Sequence, residues 1–378
     1  MKKSKIKFLV VTYTPTLNKD GKFYSYSPYV DEMDKWFSYA DEYRIISPNT
    51  YPTDFLSKPF ESKKIGYYHI PFIAFNSFIM AIKSIIFLPY IFFQLFRSMF
   101  WANHIHFRSP GNITLLGSIV QIFFPSKSKS VKYAGNWDPN SNQPFSYRLQ
   151  KAIFRNTFLS KNIKVLVYGE WPNETKNVYP FISATYKDSE KLALEKRNYN
   201  GKLKFVFIGA MVIGKRPKFT VEIIKELIEK GIDAELHMFG DGNLIEEVKT
   251  YIIDNNLEDS VFVYGNKDKE TLKNGIKDAH FTILPSKSEG WPKAIAEGMF
   301  FGAIPISTKI SCLPWILGFG NRGILIEANL KSAVDEITNE LQKGNEYLNE
   351  MSKQAYDWSQ QYTVNRLTAE IQKVIEQT

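Results

Sequence analysis

The stretch KFVFIGAMVIGKRPKFTVEIIKELIEKGIDAELHMFGDG, residues 204–242, decides the fold. Lys204 starts a strand-like run that is apolar at 205–208, and a second strand-like run, 234–239, stops at Gly240. Between them, 217–230 has helical spacing and starts with proline, which the first turn of a helix tolerates. A strand, a helix and a strand in this order predict a βαβ unit and therefore a parallel α/β sheet.

The same alternation of apolar runs and helical spacing continues through the chain. Further strands are predicted at 6–11, 43–46, 104–107, 130–134, 163–168, 261–264, 281–284, 304–307 and 323–326. Further helices are predicted at 28–40, 243–255, 268–278 and 355–376, and a polar loop is predicted from the first strand through Gly21. Together these elements predict two Rossmann-like, doubly wound α/β halves.

A polar segment, 188–201, separates the two halves and ends in Asn-Tyr-Asn-Gly, which is a turn signal. We therefore expect an amino-terminal domain at 1–195 and a carboxyl-terminal domain at 196–355. Two such domains facing each other form a cleft between the carboxyl ends of their sheets, where ligands bind in this architecture.

The composition is that of a folded protein in a reducing compartment. Of 378 residues, 44% are hydrophobic and 23% are charged, which are ordinary values for a globular chain. The single cysteine, Cys312, excludes an intramolecular disulfide, and the first apolar run, 6–11, is too short for an export signal. We therefore expect a cytoplasmic protein.

The net charge of +9 is unevenly distributed along the chain. Residues 1–190 carry 24 Lys and Arg against 13 Asp and Glu, and 191–378 carry 24 against 26, so the halves have net charges of +11 and −2. A basic half suits nucleic acid, an anionic membrane surface or an anionic substrate. The basic residues are scattered and form no nucleic-acid-binding motif, so nucleic acid is the least favoured partner.

One stretch, IPFIAFNSFIMAIKSIIFLPYIFFQLFRSMFW at 70–101, resembles a membrane segment in composition. Lys83 divides it into two uncharged runs of 13 residues, and Pro89 interrupts the second. A spanning helix needs about 20 predominantly apolar residues. Two interpretations stay open: a helix half-buried against a sheet, or a helix that lies on a membrane surface with its apolar side in lipid.

Residues 281–302, FTILPSKSEGWPKAIAEGMFFG, carry the predicted chemistry. A helix that begins just after a strand and a loop presents free N–H groups and a positive dipole end, which suit a phosphate. Gly290 lets a ligand approach the backbone, and Glu289 and Glu297, eight positions apart, offer carboxylates to hydroxyl groups. This combination of groups suits a nucleotide sugar.

The segment resembles the E-x7-E signature of glycosyltransferase family 4, whose members are retaining enzymes with the GT-B fold. The matching residues are Glu289, Gly290, Trp291, Pro292 and 296–298. The resemblance covers residues 203–327 and also the terminal 358–371. Because this terminal segment crosses back onto the first domain in the family, the resemblance implies that 356–378 packs on 1–195.

The resemblance implies a role for each matching residue. Glu289 would bind the transferred sugar, and Glu297 would bind the ribose hydroxyls. Backbone N–H groups around Gly290, Trp291 and Lys293 would face the sugar and the phosphates.

A second match lies in the βαβ unit quoted first. In the family a glycine ends the strand, an arginine follows and a lysine comes a few residues later, and both cations hold the donor diphosphate. Gly209 and Lys215 fall on the glycine and lysine positions, whereas Ala210 stands where arginine is usual. One cation fewer leaves a diphosphate less well neutralised, so Arg216 or Lys293 is the candidate replacement.

Two further expectations concern the donor half. Glu289 and Lys215 are the predicted catalytic residues. Gly240, in the segment LHMFGDG at 236–242, resembles the family's glycine before the nucleotide pocket, although a simple turn also explains it.

The amino-terminal half resembles the family only in outline. The glycine-rich loop after the first strand reduces here to Gly21. The family's histidine after a middle strand is missing from VKYAGNWDP, 131–139, where Asn136 and Asp138 are the polar candidates. Arg108 is a candidate cleft cation, and a salt bridge explains it equally well.

The resemblance implies a retaining glycosyltransferase that moves a sugar from a nucleotide-diphosphate sugar to a glycan or lipid-linked acceptor in bacterial surface-polysaccharide biosynthesis. The implied mechanism is front-face substitution, in which the leaving diphosphate takes the acceptor proton. No cofactor is expected, and no Asp-x-Asp motif or His/Cys cluster has the spacing of metal ligands.

Three alternatives remain at this point. A catalytically inactive nucleotide-sugar binder is supported by Ala210 and the missing histidine, and a GT-B nucleotide-sugar epimerase or phosphorylase would use the same cleft. Contact with an anionic membrane at the inner face of the plasma membrane is a further expectation, since the basic half contains the apolar stretch 70–101.

Overall fold

A computed structural model describes residues 5–50, 56–62 and 65–376. The chain divides into two compact units, each with its own parallel sheet. The amino-terminal unit comprises Met1–Phe181 with Thr368–Thr378, and the carboxyl-terminal unit comprises Ile182–Leu367. The division predicted near residue 195 stays a prediction, as does the packing of 356–378 on 1–195.

The amino-terminal unit contains ten strands and four complete helices among its described residues. The strands are β1 (Lys7–Thr12), β2 (Leu17–Lys19), β3 (Lys22–Tyr26), β4 (Glu42–Pro48), β5 (Ser57–Pro59), β6 (Ile65–Ile70), β7 (His104–Ser109), β8 (Ser128–Tyr133), β9 (Ile163–Val167) and β10 (Val178–Pro180). The helices are α1 (Ser27–Phe37), α2 (Phe78–Trp101), α3 (Asn112–Val120) and α4 (Phe145–Arg155).

Seven of these strands form one sheet in the order β10-β9-β8-β7-β1-β4-β6, and every pair is parallel. The direction in which successive strands are added to the sheet reverses between β1 and β7, which is the switch point of a doubly wound fold. The central strands β1 and β7 are buried almost along their whole length; β1 is correspondingly apolar, whereas β7 also buries polar side chains.

The segment predicted as a polar loop through Gly21 is instead part of a small antiparallel sheet. Strands β2, β3 and β5 form it, and Lys19 pairs with Lys22 across the turn. Asp20 and Gly21 fill the turn with φ angles of 50° and 74°. Two positive φ angles define the two-residue hairpin turn that favours Asp-Gly, so the prediction of a loop was wrong here.

Helix α2 occupies most of the membrane-like stretch and packs by one side only. Its buried residues are Ser84, Ile91, Leu95, Ser98 and Met99. They lie beside β1, β4, β6 and α3, in the core of the amino-terminal unit. Most of its other side chains are apolar and at least partly exposed, and Lys83 and Arg97 are its exposed basic residues.

The carboxyl-terminal unit repeats the architecture with a shorter sheet. Its strands are β11 (Leu203–Ile208), β12 (Ala234–Phe239), β13 (Val261–Val263), β14 (Phe281–Leu284), β15 (Ile304–Thr308) and β16 (Ile324–Ile326). Its helices are α5 (Pro217–Glu229), α6 (Ile245–Asp254), α7 (Lys269–Asp278), α8 (Lys293–Phe300), α9 (Leu313–Ile316), α10 (Leu330–Leu341) and α11 (Asn345–Ser359), and α12 (Val364–Glu376) spans the division between the units.

This second sheet has the order β13-β12-β11-β14-β15-β16, and its pairs are parallel. Renumbered from its own first strand, the order is 3-2-1-4-5-6, which is that of the dinucleotide-binding Rossmann fold. The predicted fold class, two Rossmann-like doubly wound α/β halves, is therefore confirmed. The switch point lies between β11 and β14.

The helical pattern predicted as one element at 355–376 is two helices. Helix α11 ends at Ser359, and α12 starts at Val364. Between them the Thr363 hydroxyl accepts a hydrogen bond from the backbone N–H of Arg366, as a residue at a helix amino terminus does. The spacing that looked continuous includes Trp358 and Tyr362, whose rings pack against each other at a tilt with their centroids 4.3 Å apart.

Candidate functional site

The candidate site lies in the carboxyl-terminal unit, at the carboxyl ends of β11 and β14. These strands are neighbours at the switch point, so the loops that follow them, 209–216 and 285–292, lie side by side. The backbone N–H of Lys287 donates to the carbonyl of Gly214 at 2.8 Å and joins the two loops.

The loop after β11 is also fixed to the loop after β12. Backbone hydrogen bonds join Gly209 to Phe239 and Met211 to Asp241. A Cβ on Gly240, whose φ is 130°, would lie 2.0 Å from the carbonyl oxygen of Gly209. Gly240 is therefore required by the contact of two backbone segments, and its predicted role at the donor is untested.

Lys215 and Glu289 meet across the two loops. The Lys215 Nζ lies 2.5 Å from the Glu289 Oε1, and the carboxylate side chain is only 6% exposed. The structure thus brings together the two residues predicted to be catalytic. The site therefore contains a buried carboxylate next to a partly buried ammonium. These two groups can form charge-assisted hydrogen bonds with a polar ligand.

Arg216 lies beside this pair. It adopts a left-handed conformation with φ 53° at the amino terminus of α5, and its guanidinium donates to the Pro285 carbonyl at 3.4 Å. Ala210, where the resemblance implies arginine, is exposed in the same loop. Arg216 therefore brings a guanidinium to the loop after β14, as the candidate replacement should.

Helix α8 begins directly after the loop that carries Glu289. Its first residue, Lys293, is exposed, and Pro292 precedes it with no side-chain cap on the helix amino terminus. Free N–H groups of the first turn and the positive end of the helix dipole therefore point out of α8 beside Gly290. This is the arrangement predicted for a phosphate site.

Glu297 lies one turn into α8, where the hydroxyl of Thr185 donates to its Oε1 at 2.7 Å. Burial raises the pKa of Glu297 above its ordinary value, although the hydrogen bond from Thr185 and the charge of Lys293 act to lower it. Thr185 lies outside every motif in the sequence, so no sequence signal indicated it.

Trp291, between Gly290 and the start of α8, is buried in an aromatic cluster. Its ring lies 6.5 Å from that of Trp358 and 5.6 Å from that of Tyr362. Trp315 meets Trp358 edge-on at 5.4 Å, and the Arg322 guanidinium lies 4.9 Å from the Trp358 ring centre. The indole of Trp291 therefore packs, which leaves its backbone for the predicted contact with a ligand.

Sequence reasoning missed residues 307–312, the end of β15 and the loop after it, which contact the Glu289 loop. Ser311 accepts a hydrogen bond from the backbone N–H of Glu289 at 3.1 Å, and the Cys312 thiol donates to the Gly290 carbonyl at 3.1 Å. Burial raises the pKa of the Cys312 thiol to about 12, so the thiol stays protonated as a donor. The one sequence feature that could have drawn attention to this loop is that Cys312 is the single cysteine of the chain.

The residues predicted for the acceptor lie in the amino-terminal unit, and the structure does not group them all. Arg108 ends β7, and Asn136 and Asp138 follow β8, so these three share one edge of the large sheet. Gly21 lies in the separate antiparallel sheet. The Oδ1 of Asn136 accepts from the N–H of Asp138 at 2.9 Å, which is a local turn.

Arg108 is one member of a buried charged group. Its guanidinium lies 3.1 Å from Glu32 of α1, and the Lys132 Nζ lies 3.1 Å from the other oxygen of the same carboxylate. Burial acts to raise the pKa of Glu32, but Arg108 and Lys132 outweigh it and hold the pKa at about 2. The salt-bridge interpretation of Arg108 therefore describes this structure.

Among the residues that the structure describes, no group of three or more His, Cys, Asp and Glu side chains is placed to hold a metal ion.

Comparison with known proteins extends these observations. Residues 188–358 match the model of the family "glycosyl transferases group 1". An uncharacterised glycosyltransferase of Methanocaldococcus jannaschii is 27% identical over 172 residues, which are 46% of this chain and 47% of that protein. The UDP-Gal:alpha-D-GlcNAc-diphosphoundecaprenol alpha-1,3-galactosyltransferase of Escherichia coli is 30% identical over 169 residues, 43% of this chain and 42% of that protein.

The chain thus spans less than half the length of these two relatives. The crystal structure of Anabaena HepE in complex with UDP superposes with a TM-score of 0.67 at 13% identity, and the match covers 99% of this chain and 100% of HepE. Residues 188–358, which include Lys215, Glu289 and Glu297, thus match the glycosyl transferases group 1, and the chain has the fold of GT-B glycosyltransferases.

Proposed function

We propose that the protein is a retaining glycosyltransferase of the family 4 type. It would transfer a sugar from a nucleotide-diphosphate sugar to a glycan or lipid-linked acceptor in bacterial surface-polysaccharide assembly. The observation that carries the proposal is the pairing of Lys215 with Glu289 beside the free amino terminus of α8, inside the region that matches the family.

Each group of the site has a part in the proposed reaction. Lys215, Arg216 and the first turn of α8 would hold the diphosphate and stabilise the charge that grows on it as it leaves. Glu289 would hold hydroxyls of the transferred sugar, and Glu297 those of the ribose. Positioning and charge stabilisation would supply the rate, without a cofactor.

The proposed chemical step is front-face substitution. The bond between the anomeric carbon and the diphosphate oxygen breaks, and its electron pair goes to the diphosphate. The acceptor hydroxyl forms the new bond on the same face, and its proton passes to the leaving diphosphate. Because Lys215 and the α8 amino terminus supply the positive charge, we expect EDTA to leave turnover unchanged.

The acceptor side rests on weaker support, and we propose it on the amino-terminal unit. Arg108, Asn136 and Asp138 share the carboxyl edge of its sheet, where ligands bind in doubly wound folds. The proposed place of action is the cytoplasm, at the inner face of the plasma membrane, where a lipid-linked acceptor would be available.

A screen of nucleotide sugars tests the proposal. The wild type should hydrolyse its donor slowly without acceptor, and Glu289→Gln and Lys215→Met should each lower that rate by about 100-fold or more. The matched controls are Lys230→Met and Asp335→Asn, which remove an exposed ion pair of 3.2 Å elsewhere in the same unit. Turnover in these controls should equal that of the wild type.

The same screen separates the alternatives. Donor binding without any hydrolysis or transfer would favour the inactive nucleotide-sugar binder, the alternative that Ala210 supports. Conversion of the donor sugar to its epimer would favour the epimerase. Equal rates in Glu289→Gln and in the wild type would contradict the proposed site.

A further inference from the structure

The exposed side of α2 is largely uncovered by the residues that the structure describes, apart from contacts of Phe96 with Phe123 and Phe124, although it consists of large apolar side chains. Eleven of them are between 41% and 82% exposed. They are Phe78, Ile79, Met80, Ile82, Ile85, Ile86, Phe87, Tyr90, Phe93, Phe96 and Phe100. Proteins that stay free in water rarely expose so many contiguous apolar groups, so this surface is built to be covered.

The geometry of α2 decides how it is covered. The helix is long and apolar enough to cross a membrane by length and composition. However, Ile91, Leu95 and Met99 fix one side of it to the sheet, along more than two turns. A helix held along its side cannot enter a bilayer end-on without leaving its own core, so it offers its outer face instead.

The charges near the exposed side of α2 indicate the chemistry of its partner. No Asp or Glu occurs between Glu61 and Asp138, so this stretch brings no acidic side chain to the surface. Of its eight Lys and Arg, Arg108, Lys129 and Lys132 lie on β7 and β8 and do not belong to the α2 surface. On α2 itself Lys83 and Arg97 are exposed, 14 positions and therefore about 21 Å apart on nearly the same side of the helix. Long basic side chains that flank an apolar face reach toward anionic headgroups while their stems stay in the apolar layer.

We propose that the exposed face of α2, centred on Ile82, Ile86, Phe93 and Phe100, docks on an anionic lipid bilayer with the helix axis parallel to the membrane plane. Residues at spacings of four and seven lie on one side of a helix, so these four enter the apolar layer together. This inference deepens the proposed place of action, and it is tested without donor or acceptor.

Vesicle sedimentation is the first test. The wild type should bind vesicles of phosphatidylcholine and phosphatidylglycerol more tightly than vesicles of phosphatidylcholine alone, and high salt should weaken that difference. Ile86→Glu should lower the partition coefficient by about tenfold or more. The matched control is Ile253→Glu, at an isoleucine on α6 that is 61% exposed against 67% for Ile86, and it should bind like the wild type.

The second test measures how deep two positions of α2 lie in the bilayer. It distinguishes a helix that lies in the membrane plane from one that spans the membrane. Cys312 is buried, so a cysteine introduced at an exposed position takes the label. Fluorophores on Ile82→Cys and Phe100→Cys, about 27 Å apart along the helix, should be quenched to equal extents by lipids brominated at one shallow depth. Unequal depths at the two positions would overturn the parallel orientation.

Two outcomes would overturn the docking surface altogether. One is vesicle binding by Ile86→Glu that equals that of the wild type. The other is a lipid-free dimer that Ile86→Glu converts to monomer in a protein that does not bind vesicles, since the covered face would then be an interface between copies. Loss of transferase activity alone bears only on the proposed function.

A second inference rests on independent contacts around Glu289. Four side-chain hydrogen bonds join the end of β15 and the loop after it to the end of β14 and the loop after it. Ser307 donates to the Leu284 carbonyl and Thr308 to the Ser286 carbonyl, both at 2.6 Å. Together with the bonds of Ser311 and Cys312 at 3.1 Å, they span the loop from the end of β14 to Gly290.

We infer that this row, Ser307, Thr308, Ser311 and Cys312, consists of positioning residues that hold Glu289 where it can meet the sugar of the donor. Each side chain binds the backbone of the Glu289 loop, and all four are buried. The inference rests on the proposed function for its ligand. Its structural part is independent of any ligand.

Amide hydrogen exchange tests the structural part. Thr308→Val and Ser311→Ala should speed exchange of the amides at 286–290 by about tenfold, because each removes a buried hydrogen bond to that loop. Thr308→Ser and Cys312→Ser keep a donor and should exchange like the wild type. The matched control is Ser352→Ala, which removes a 2.6 Å bond to the Gly302 carbonyl past the other end of α8.

Ligand binding tests the positioning role. Thr308→Val and Ser311→Ala should weaken binding of the nucleotide sugar by about tenfold and binding of the nucleoside diphosphate by about twofold or less, since Glu289 contacts only the sugar. Equal weakening of both ligands, or unchanged exchange at 286–290, would overturn the inference. A wild type that binds no nucleotide sugar but shows the exchange effect would contradict the proposed function alone.

Discussion

Glu289 and Lys215 neutralise each other where neither charge is fully hydrated. Their side chains are 6% and 29% exposed, so water screens the pair less than it screens an ion pair on the surface. Removing one partner leaves the other charge half-buried and unpaired, which is more destabilising than removing both. The ion pair therefore has a consequence for stability that is separate from its proposed consequence for catalysis.

A double-mutant cycle measures that consequence. Lys215→Met should lower the free energy of unfolding by about 2 kcal/mol, and Lys215→Met with Glu289→Gln should lower it by less, with a coupling energy of about 1 kcal/mol or more. Urea unfolding provides the values. The exposed pair Lys230 and Asp335 should give a coupling below about 0.5 kcal/mol, and equal couplings in the two cycles would contradict the argument.

Gly21 is a case where backbone conformation explains a residue better than a site does. With φ 74° and no heavy atom within 4 Å of a built Cβ, it has room for a side chain but an unfavourable conformation for one. We expect Gly21→Ala to lower the free energy of unfolding by about 1 kcal/mol, and Gly21→Asn by less, since asparagine tolerates this conformation. Acceptor KM should not change in either variant. A higher KM for the acceptor in Gly21→Asn would contradict this explanation and would support a role of Gly21 in acceptor binding.

At the scale of elements, the sequence predicted those whose signals are local. The spacing at 268–278 predicted a helix, and α7 runs from Lys269 to Asp278 with Asp268 as its cap, because the signal for both lies within a few residues. The strands at 204–208 and 234–239 were equally local. The Glu289 motif could be recognised because its strand, loop and helix follow one another without a gap.

The sequence did not predict features that depend on contacts between residues far apart in the chain. The break between α11 and α12 is invisible in the apolar spacing, because Trp358 and Tyr362 keep that spacing while stacking with Trp291, far away in the chain. The bonds of Thr185 and Ser311 to the site join residues that are 112 and 22 positions apart. Periodicity within an element carries no information on such pairs.

The packing of α8 on the sheet depends on one glycine. A Cβ on Gly298 would lie 2.0 Å from the Oγ1 and 2.7 Å from the Cβ of Thr282 on β14. We expect Gly298→Ala to lower the free energy of unfolding by about 2–3 kcal/mol and to weaken donor binding, since α8 carries the proposed phosphate site. Thermal or urea unfolding with donor titration measures both effects.

Two companion variants control the Gly298 experiment. Gly201→Ala, at a glycine with no atom within 4 Å of a built Cβ and an ordinary φ, should change the free energy of unfolding by less than about 0.5 kcal/mol. Thr282→Ala should restore part of the loss in Gly298→Ala, because it removes the Oγ1 but leaves the Cβ. A fully stable Gly298→Ala would show that α8 is free to shift on β14.

At the scale of the whole molecule, the two units share an architecture but differ in the polar side chains that they bury. The amino-terminal sheet carries two histidines on alternate positions of β7, stacked on Phe8 at 5.0 and 5.6 Å. The His104 Nε2 and the His106 Nδ1 each lie 2.8 Å from the Ser130 hydroxyl oxygen, within hydrogen-bonding distance. Because both rings are fully buried, desolvation favours their neutral forms in the folded protein.

Burial lowers the pKa of His104 to about 3, and burial together with the neighbouring His104 lowers the pKa of His106 well below its ordinary value. A histidine whose folded pKa lies below its unfolded value of about 6.5 binds fewer protons when folded, so this contribution to stability is complete above pH 6.5 or so. It is lost as pH falls from about 6.5 toward about 3, at about 1.4 kcal/mol per pH unit for each histidine. Glu32 acts in the same direction at lower pH, since its pKa falls from 4.5 to about 2.

We therefore expect acid to unfold the amino-terminal unit through its histidines before its carboxylates matter. The double variant His104→Asn with His106→Asn should be less stable at neutral pH, because it loses ring packing, yet its free energy of unfolding should depend less steeply on pH between about 6.5 and about 4.5, by about 2–3 kcal/mol per pH unit. Urea unfolding followed through Trp36, whose ring lies 4.2 Å from that of His106, reports on this unit. His69→Asn, at an exposed histidine, should change the slope far less. An unchanged slope in the double variant would mean that both rings are already protonated in the folded protein, and the neutral pair bridged by Ser130 would then be wrong.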